Sequence, residues 1–207
     1  MLIKQSDVIL FQGDSITDCI RDRENPYDLG TGYPLVVASL LMHRLREYNL
    51  TFYNRGVSGD RVRDLQNRWR EDCIDLKPTV VSILVGTNDV WRRYDSNDPT
   101  TPDAFEAGYR DILSQVKQLG ARIIMLEPFV NPYPDDRKAW REDLDPKLDV
   151  VRRLAAEFDA VLVPLDRIFA ESYKIKPDGY YAYDGVHPSP AGHGMIADEW
   201  MKAVGVG

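Results

Sequence analysis

The run Thr79-Val80-Val81-Ser82-Ile83-Leu84-Val85, followed at once by Gly86-Thr87-Asn88-Asp89, decides the fold class of this 207-residue chain. Its first seven residues are rich in β-branched side chains and carry no charge, which is typical of a strand buried on both faces. Such strands occur in parallel sheets that helices cover on both sides. The glycine and polar residues that follow mark the end of the strand.

On either side of this run, short apolar segments alternate with segments whose apolar residues recur at helical spacing. The predicted strands are residues 8–11, 51–53, 79–85, 122–126 and 160–163. The predicted helices are residues 33–48, 61–76, 102–119, 144–158 and 190–204. This alternation predicts a parallel α/β sheet with helices on both faces, formed as a single domain over residues 1–207.

Composition and charge indicate which kinds of binding partner this protein is not expected to have. The formal net charge of −7 argues against nucleic acid or an anionic membrane as the main partner. No run of about 18 apolar residues exists, so we expect no membrane span. The apolar run at residues 8–11 is too short for the core of a signal peptide, and we therefore expect a cytoplasmic protein.

The sequence carries no recognisable metal or cofactor motif. Cys19 and Cys73 are isolated, so we expect neither a disulfide framework nor a metal cluster, but two small buried or half-buried residues. The carboxylates do not cluster with histidine at ligand spacing, and no glycine-rich phosphate loop occurs. We predict no metal and no cofactor.

Ligands of open parallel sheets bind beyond the carboxyl ends of the strands. In this sequence, segments rich in glycine and polar residues follow the predicted strands and so fall at those positions. Ser15 follows the first predicted strand and Gly13, and the helix-like segment after it offers backbone N–H groups. This position suits a nucleophile. Gly-Asp-Ser is nevertheless a common tripeptide, and Asp14 and Ser15 could equally shape the turn at the strand end.

A serine hydroxyl needs an adjacent base to act as a nucleophile, and the chain has three histidines. His43 lies mid-helix and is interpreted as a surface or packing residue. In Tyr183-Asp184-Gly185-Val186-His187-Pro188 one turn can bring the Asp184 carboxylate against Nδ1–H of His187 and leave Nε2 free. Alternatively, Asp184 only caps the turn and His187 lies on the surface. The rival base, His193, lies in the last predicted helix, where it is less free to reach a strand end.

A tetrahedral intermediate also needs hydrogen-bond donors aimed at its oxyanion. Gly59, in the loop Gly56-Val57-Ser58-Gly59, offers a backbone N–H that a substrate can approach closely. Asn88 offers a side-chain amide, and Ser15 its own backbone N–H. Gly59 could equally belong to a plain flexible loop, and Asn88 could be a turn former.

Four segments together resemble the sequence blocks of the SGNH/GDSL hydrolases, in order and in the expected strand contexts. They are Gly13-Asp14-Ser15, Gly59, Gly86-Thr87-Asn88-Asp89 and Asp184-Gly185-Val186-His187. The resemblance implies a flavodoxin-like three-layer α/β/α fold with a five-stranded parallel sheet in the order 2-1-3-4-5. It also implies that Ser15 is the nucleophile, His187 the base and Asp184 its orienter, with Ser15, Gly59 and Asn88 forming the oxyanion hole.

A closer likeness connects the chain with a branch of this family that includes intracellular acetylxylan esterases. It rests on the segments 13–19, 30–33, 62–65, 88–92 and 187–193. The sequence departs from that branch at Tyr183, where the branch has Trp, and at Asp60, where it has Asn. The branch implies a serine esterase that removes acetyl groups from xylo-oligosaccharides or related sugars, and a homo-oligomer is one assembly it allows.

Three residues are predicted to contact this acylated carbohydrate: Asp14, Trp91 and Tyr183. Trp91, Tyr94 and Tyr183 could stack on sugar rings, although ordinary packing would use the same aromatic side chains. Two other functions fit the fold: a GDSL-type lysophospholipase or thioesterase, which needs a long apolar groove, and a non-catalytic flavodoxin-like binding domain, which would be expected to lack one of Ser15, Asp184 and His187.

Overall fold

The computed structural model describes residues 1–206 and contains a five-stranded parallel sheet in the order β2-β1-β3-β4-β5. The strands are β1 (Val8–Gly13), β2 (Thr51–Asn54), β3 (Val80–Leu84), β4 (Arg122–Leu126) and β5 (Val161–Val163). Every residue of β3 is buried, as its uninterrupted apolar character predicts. The predicted fold class and strand order are confirmed.

Eight α-helices connect and cover the strands. They are α1 (Ser15–Asp18), α2 (Tyr33–Arg44), α3 (Val62–Asp72), α4 (Thr87–Ser96), α5 (Pro102–Gln118), α6 (Arg141–Glu157), α7 (Leu165–Ile175) and α8 (Pro190–Ala203), with short 3₁₀ turns at Arg46–Tyr48, Ile74–Leu76 and Asp135–Trp140. None of the helices found between residues 1 and 206 is long and apolar enough to cross a membrane.

Side chains alternate between the two faces of the sheet and form two hydrophobic clusters. Ile9 and Phe11 point toward the cluster that contains α2, α7 and α8, whereas Leu10 points toward the one that contains α3 and α5. Helix α6 contributes to both clusters. This period-2 alternation produces the three-layer arrangement of helix, sheet and helix.

Two helices were missing from the predicted pattern. Helix α4 begins directly after Gly86 and was not predicted, because its polar composition hides the few apolar residues that pack inward. Helix α7 follows β5 after one residue, and Leu165 and Phe169 are buried at helical spacing. Its signal was therefore present in the sequence. Two predicted helices are also shorter than expected, since the backbone leaves the helical conformation at Leu45 and at Cys73.

Gly13 shows why the chain turns so sharply at the end of β1. A Cβ atom built there would lie 2.2 Å from the backbone oxygen of Leu84 on the neighbouring strand. Only glycine allows this approach. The chain can then turn directly into α1, which places Ser15 at the carboxyl edge of the sheet.

Candidate active site

Ser15 is the first residue of α1, and its neighbours hold that helix rigidly in place. The Asp14 carboxylate caps the helix by accepting a hydrogen bond from the backbone N–H of Ile16 at 3.0 Å. The Ser15 side chain is half-buried, whereas Asp14 and Ile16 are buried. A short helix anchored at its first turn thus presents one hydroxyl to the surface.

The loop that carries Asp184 and His187 is closed by hydrogen bonds within one turn. One carboxylate oxygen of Asp184 accepts from the backbone N–H groups of Val186 at 3.0 Å and His187 at 2.8 Å. Its other oxygen lies 2.8 Å from Nδ1 of the His187 ring. Gly185 allows the tight turn, because its φ is +83° and a Cβ would lie 2.1 Å from the backbone oxygen of Tyr133.

The structure brings Ser15, His187 and Asp184 together, although 172 positions separate the serine from the histidine. Ser15 Oγ lies 3.0 Å from His187 Nε2. An ionised carboxylate can only accept hydrogen bonds, so Nδ1 carries the proton toward Asp184 and Nε2 of the neutral ring accepts from the serine hydroxyl. This is the tautomer in which His187 can take the serine proton.

Electrostatics favours the same arrangement. The hydrogen bond from His187 Nδ1 to Asp184 raises the pKa of His187 above its ordinary value of 6.5, and burial only partly opposes it. Burial would raise the pKa of Asp184, but its hydrogen bonds with the His187 ring and the two backbone N–H groups lower it well below its ordinary value. Asp184 therefore stays ionised wherever His187 titrates.

The loop carrying Gly59 is tied both to the end of β1 and to the Ser15 helix. The backbone N–H of Val57 donates to Gly13 O at 3.1 Å. Ser58 donates to the Asp18 carboxylate through its N–H at 2.9 Å and its hydroxyl at 3.0 Å. These bonds hold Gly59, with a φ of +90°, beside the carboxyl end of β1. Sequence reasoning did not identify this role of Asp18.

Asn88 projects from the first turn of α4 and reaches the same loop. Its Nδ2 donates to Asp60 O at 3.2 Å, and its Oδ1 lies 3.4 Å from Nη2 of Arg92, one helical turn later. The Asp60 carboxylate points away, forming an ion pair with Arg68 at 2.8 Å. Arg92 was not predicted as a site residue, because helix α4 was not among the predicted helices. Had α4 been recognised, the i,i+4 spacing to Asn88 would have indicated it.

Asp14 does not reach the surface where a substrate would bind. It is only 1% exposed, and burial raises its pKa to about 7, opposed in part by the hydrogen bond from Ile16. Its second carboxylate oxygen lies 3.4 Å from Nδ2 of Asn88. The expectation that Asp14 contacts substrate is therefore replaced by a structural role beneath the site.

The aromatic residues expected at the rim differ in their surroundings. Tyr183 is 63% exposed and lines the cavity in front of Ser15. The ring of Trp91 is partly buried, with its centroid 5.2 Å from that of Trp140 and 5.8 Å from that of His187. Tyr94 stacks on Trp140 at 5.0 Å. Trp91, Tyr94 and Trp140 form an aromatic wall beside His187, and the stacking of Trp91, Tyr94 and Tyr183 on a sugar stays a prediction.

A cavity of about 370 Å³ opens in front of Ser15 and His187. It is mainly apolar and is lined by Ser15, Ile16, Cys19, Ile20, Ser58, Tyr183, His187, Pro188 and His193. Ile20 and Tyr183 are exposed at this site. The cavity therefore gives a small ester direct access to the Ser15 hydroxyl.

The other two histidines have different surroundings. His43 is exposed in the last turn of α2, which selects the surface rather than the packing interpretation. His193 is buried, and its Nδ1 accepts from the backbone N–H of Tyr33 at 3.1 Å while its Nε2 lies 3.4 Å from Cys19 Sγ. Cys73 is buried and Cys19 partly buried. Among residues 1–206, no group of three or more His, Cys, Asp or Glu side chains is arranged to hold a metal ion.

Comparison with known proteins agrees with this geometry. The family described as GDSL-like lipase/acylhydrolase matches the chain over residues 11–195. A curated acetylxylan esterase from Geobacillus stearothermophilus is 38% identical over 213 residues, which cover 99% of this chain and 97% of that protein.

Solved structures show the same relationship in three dimensions. The crystal structure of Axe2, an acetylxylan esterase from Geobacillus stearothermophilus, superposes with a TM-score of 0.91 at 37% identity, covering 99% of this chain and 97% of that one. LAE5, an alpha/beta hydrolase enzyme from the metagenome of Lake Arreo, superposes with a TM-score of 0.92 at 30% identity, covering 100% of this chain and 98% of that one.

Proposed function

Since the chain belongs to the GDSL-like lipase/acylhydrolase family and is a carboxylic ester hydrolase, we propose that it removes acetyl groups from xylo-oligosaccharides or related sugars through a covalent acyl-enzyme. The observation that carries the mechanism is the 3.0 Å contact between Ser15 Oγ and His187 Nε2. Asp184 supports the same assignment from the other side of the imidazole ring, at 2.8 Å.

The first half of the reaction forms the acyl-enzyme. Ser15 Oγ bonds to the ester carbonyl carbon while its proton passes to His187 Nε2. The bond between that carbon and the alcohol oxygen then breaks, and the imidazolium returns the proton to the leaving alcohol. Asp184 holds the ring and stabilises its positive charge during both transfers.

The second half repeats these steps with water. His187 takes a proton from water, the resulting hydroxide attacks the acyl carbon, and the bond to Ser15 Oγ breaks as the hydroxyl regains its proton. In both halves the oxyanion would be held by the N–H groups of Ser15 and Gly59 and by Nδ2 of Asn88. The anchoring of the Gly59 loop to neighbouring backbone supports the role of Gly59, because a preorganised donor need not reorient during the reaction. Nδ2 of Asn88 would exchange its 3.4 Å contact with Asp14 for the oxyanion.

The acetyl-sugar substrate is supported by the relative and by the cavity. The curated acetylxylan esterase aligns with nearly the whole chain. Tyr183, which lines the cavity and is largely exposed, can offer an aromatic face to a sugar ring. Trp91, backed by Trp140, limits the space beside His187 and so favours a short acyl group.

A panel of esters of one alcohol tests the substrate class. We expect kcat/KM to fall from acetyl through butyryl to octanoyl esters, and acetylated xylo-oligosaccharides to be deacetylated. In a matching apolar groove each added methylene would instead contribute about 0.8 kcal/mol, so the rate would rise steeply with chain length. A rising series would replace the deacetylase with a lysophospholipase or thioesterase. Background hydrolysis is read from Ser15→Ala.

Chemical labelling tests the mechanism separately. A phosphonate probe is expected to modify Ser15, located by peptide mass spectrometry, and His187→Asn should suppress the labelling. An active enzyme with label at another residue, or with none, would contradict the covalent serine mechanism.

The proposed reaction uses only groups of the protein chain and water. Dialysis against a chelator is therefore expected to leave the rate unchanged. Activity that is lost on dialysis and restored by Zn²⁺ or Mn²⁺ would overturn this part of the proposal.

A further inference from the structure

Arg137 connects the loop that carries Asp184 and His187 to the aromatic wall beside it. Its Nε donates a hydrogen bond to the backbone oxygen of Asp184 at 3.3 Å. Its guanidinium lies 4.1 Å from the ring centroid of Trp140 and 5.0 Å from that of Trp91. Its Nη1 also pairs with the exposed carboxylate of Asp136 at 2.7 Å. The Arg137 side chain is only 13% exposed, so these contacts together hold it in place.

Two of the residues that Arg137 contacts, Asp184 and Trp91, are also neighbours of His187. Asp184 holds Nδ1 of the imidazole at 2.8 Å, and the Trp91 ring lies 5.8 Å from the imidazole ring. A guanidinium that binds the backbone of Asp184 and packs on Trp91 therefore restrains the histidine through two neighbours. We propose that Arg137 is a positioning residue, which keeps His187 in the orientation where Nε2 faces Ser15. The inference rests on the proposed function to the extent that His187 acts as the base.

Arg137 also belongs to the set of charged groups around His187. The carboxylates of Asp184 and Asp14 favour the protonated imidazole, whereas burial and the Arg137 cation disfavour it. His193 lines the same cavity and is a second imidazole on that side. Within this set, Arg137 is the residue that combines a positive charge with direct contacts to Asp184 and Trp91, so its charge and its shape make separable contributions.

Two substitutions separate these contributions, and a third controls for charge alone. Arg137→Lys keeps the positive charge but loses the planar guanidinium that stacks on Trp91 and Trp140. Arg137→Met removes the charge and keeps much of the apolar stem. Lys138→Met removes the same charge from the next residue, whose side chain is exposed and pairs with Asp135.

Steady-state kinetics across pH give the first readout. Arg137→Lys is expected to lower kcat about tenfold with a smaller change in KM, because misplacing a catalytic group impairs the chemical step. Its acid limb should stay close to that of the wild type. In Arg137→Met the acid limb of kcat/KM should move to higher pH, since loss of a nearby cation favours the imidazolium. Lys138→Met should change neither quantity.

An NMR titration of the His187 ring gives a second readout that needs no turnover. In a Ser15→Ala background, the titration midpoint of His187 should move to higher pH with Arg137→Met and stay in place with Lys138→Met. If the chain hydrolyses no ester, the proposed function fails while this titration still decides the effect of Arg137. Unchanged midpoints together with unchanged kcat in Arg137→Lys would overturn the inference. If Arg137→Met does not fold, a folded Arg137→Lys with wild-type kcat overturns it as well.

Discussion

His187 and His193 line the same cavity, yet their surroundings shift the pKa values of the two rings in opposite directions. His187 lies in a loop with a carboxylate 2.8 Å from Nδ1, and that hydrogen bond raises its pKa. His193 lies in the first turn of α8, is 7% exposed, and has a backbone N–H as the partner of Nδ1. Burial lowers its pKa to about 4.

The difference shows that the partner of Nδ1 decides what each imidazole can do. In His187 the carboxylate places the proton on Nδ1 and leaves Nε2 as an acceptor facing Ser15. In His193 the Tyr33 N–H occupies Nδ1, so the neutral ring carries its proton on Nε2, toward Cys19. The first ring can accept the serine proton, whereas the second serves packing.

Replacing each histidine by Asn should give the largest difference in activity between the two positions. Asn can replace the Nδ1 side of an imidazole but provides no group at the position of Nε2. We expect His187→Asn to lower kcat/KM by about 10⁴-fold or more, by analogy with triad knockouts. His193→Asn can still accept the Tyr33 N–H and should stay within about threefold of the wild type. Rates for both variants on an acetyl ester, with folding verified by circular dichroism, check this.

Equal losses in the two variants would mean that the two rings are not distinguished as we describe. Loss confined to His193→Asn would transfer the role of base to that residue.

Replacing the Asp184 carboxylate by an amide removes the group that distinguishes the surroundings of His187 from those of His193. Asp184→Asn is expected to lower kcat by about 10³- to 10⁴-fold, because the amide neither stabilises the imidazolium nor enforces the tautomer. The wild-type acid limb of kcat/KM should lie above pH 6.5, and in Asp184→Asn it should move to lower pH. A pH profile of the residual activity measures both. An acid limb that stays in place would show that Asp184 does not control the titration of His187.

The two histidines should contribute to the pH dependence of the free energy of unfolding with opposite signs. Because the pKa of His193 is lower in the folded state, its contribution to the free energy of unfolding is present above pH 6.5 and is lost as the pH falls toward 4. Between pH 8 and pH 5 this amounts to about 2 kcal/mol. Because the pKa of His187 is raised, its contribution is present below pH 6.5 and is lost as the pH rises through the folded-state value.

Urea unfolding at pH 5 and pH 8 measures this difference. Relative to the wild type, His193→Asn should lose less stability on acidification, and His187→Asn should lose more. Parallel changes in the wild type and both variants would remove the electrostatic distinction between the two rings.

The part of the site that residue spacing alone predicted is built from neighbouring residues, whereas the full set that includes Gly59 and Asn88 came from the family resemblance. Asp184 lies three positions before His187, so a single turn joins them, and Gly185 between them is the residue that allows it. Ser15 was recognised because it follows a strand and a glycine. Asp14 was misjudged, since a carboxylate beside a candidate nucleophile suggests substrate contact, and only the packing around it shows that it is buried.

Two residues that reach the site from distant segments, Arg137 and Asp18, carried no readable signal. Arg137 lies in a 3₁₀ turn, and nothing near it in the sequence indicates Asp184 or Trp91 as its neighbours. Trp91 was identified as an aromatic residue beside Asn88, but its packing on Trp140 could not be inferred. Asp18 likewise reaches Ser58 only because the two loops meet at the sheet edge.

By itself the sequence determined the parallel α/β class and the alternation of strands with helices, and its spacing indicated the local pairing of Asp184 with His187. Periodicity and short spacing encode these properties, because they depend on residues within one or two turns of each other. Tertiary structure alone decided that Asp14 is buried, that the Nδ1 atom of His193 accepts from the backbone of Tyr33, and that Arg137 contacts the loop of Asp184 and His187. Each of these depends on packing between segments far apart in the chain, where burial and hydrogen-bond partners arise only once the layers assemble.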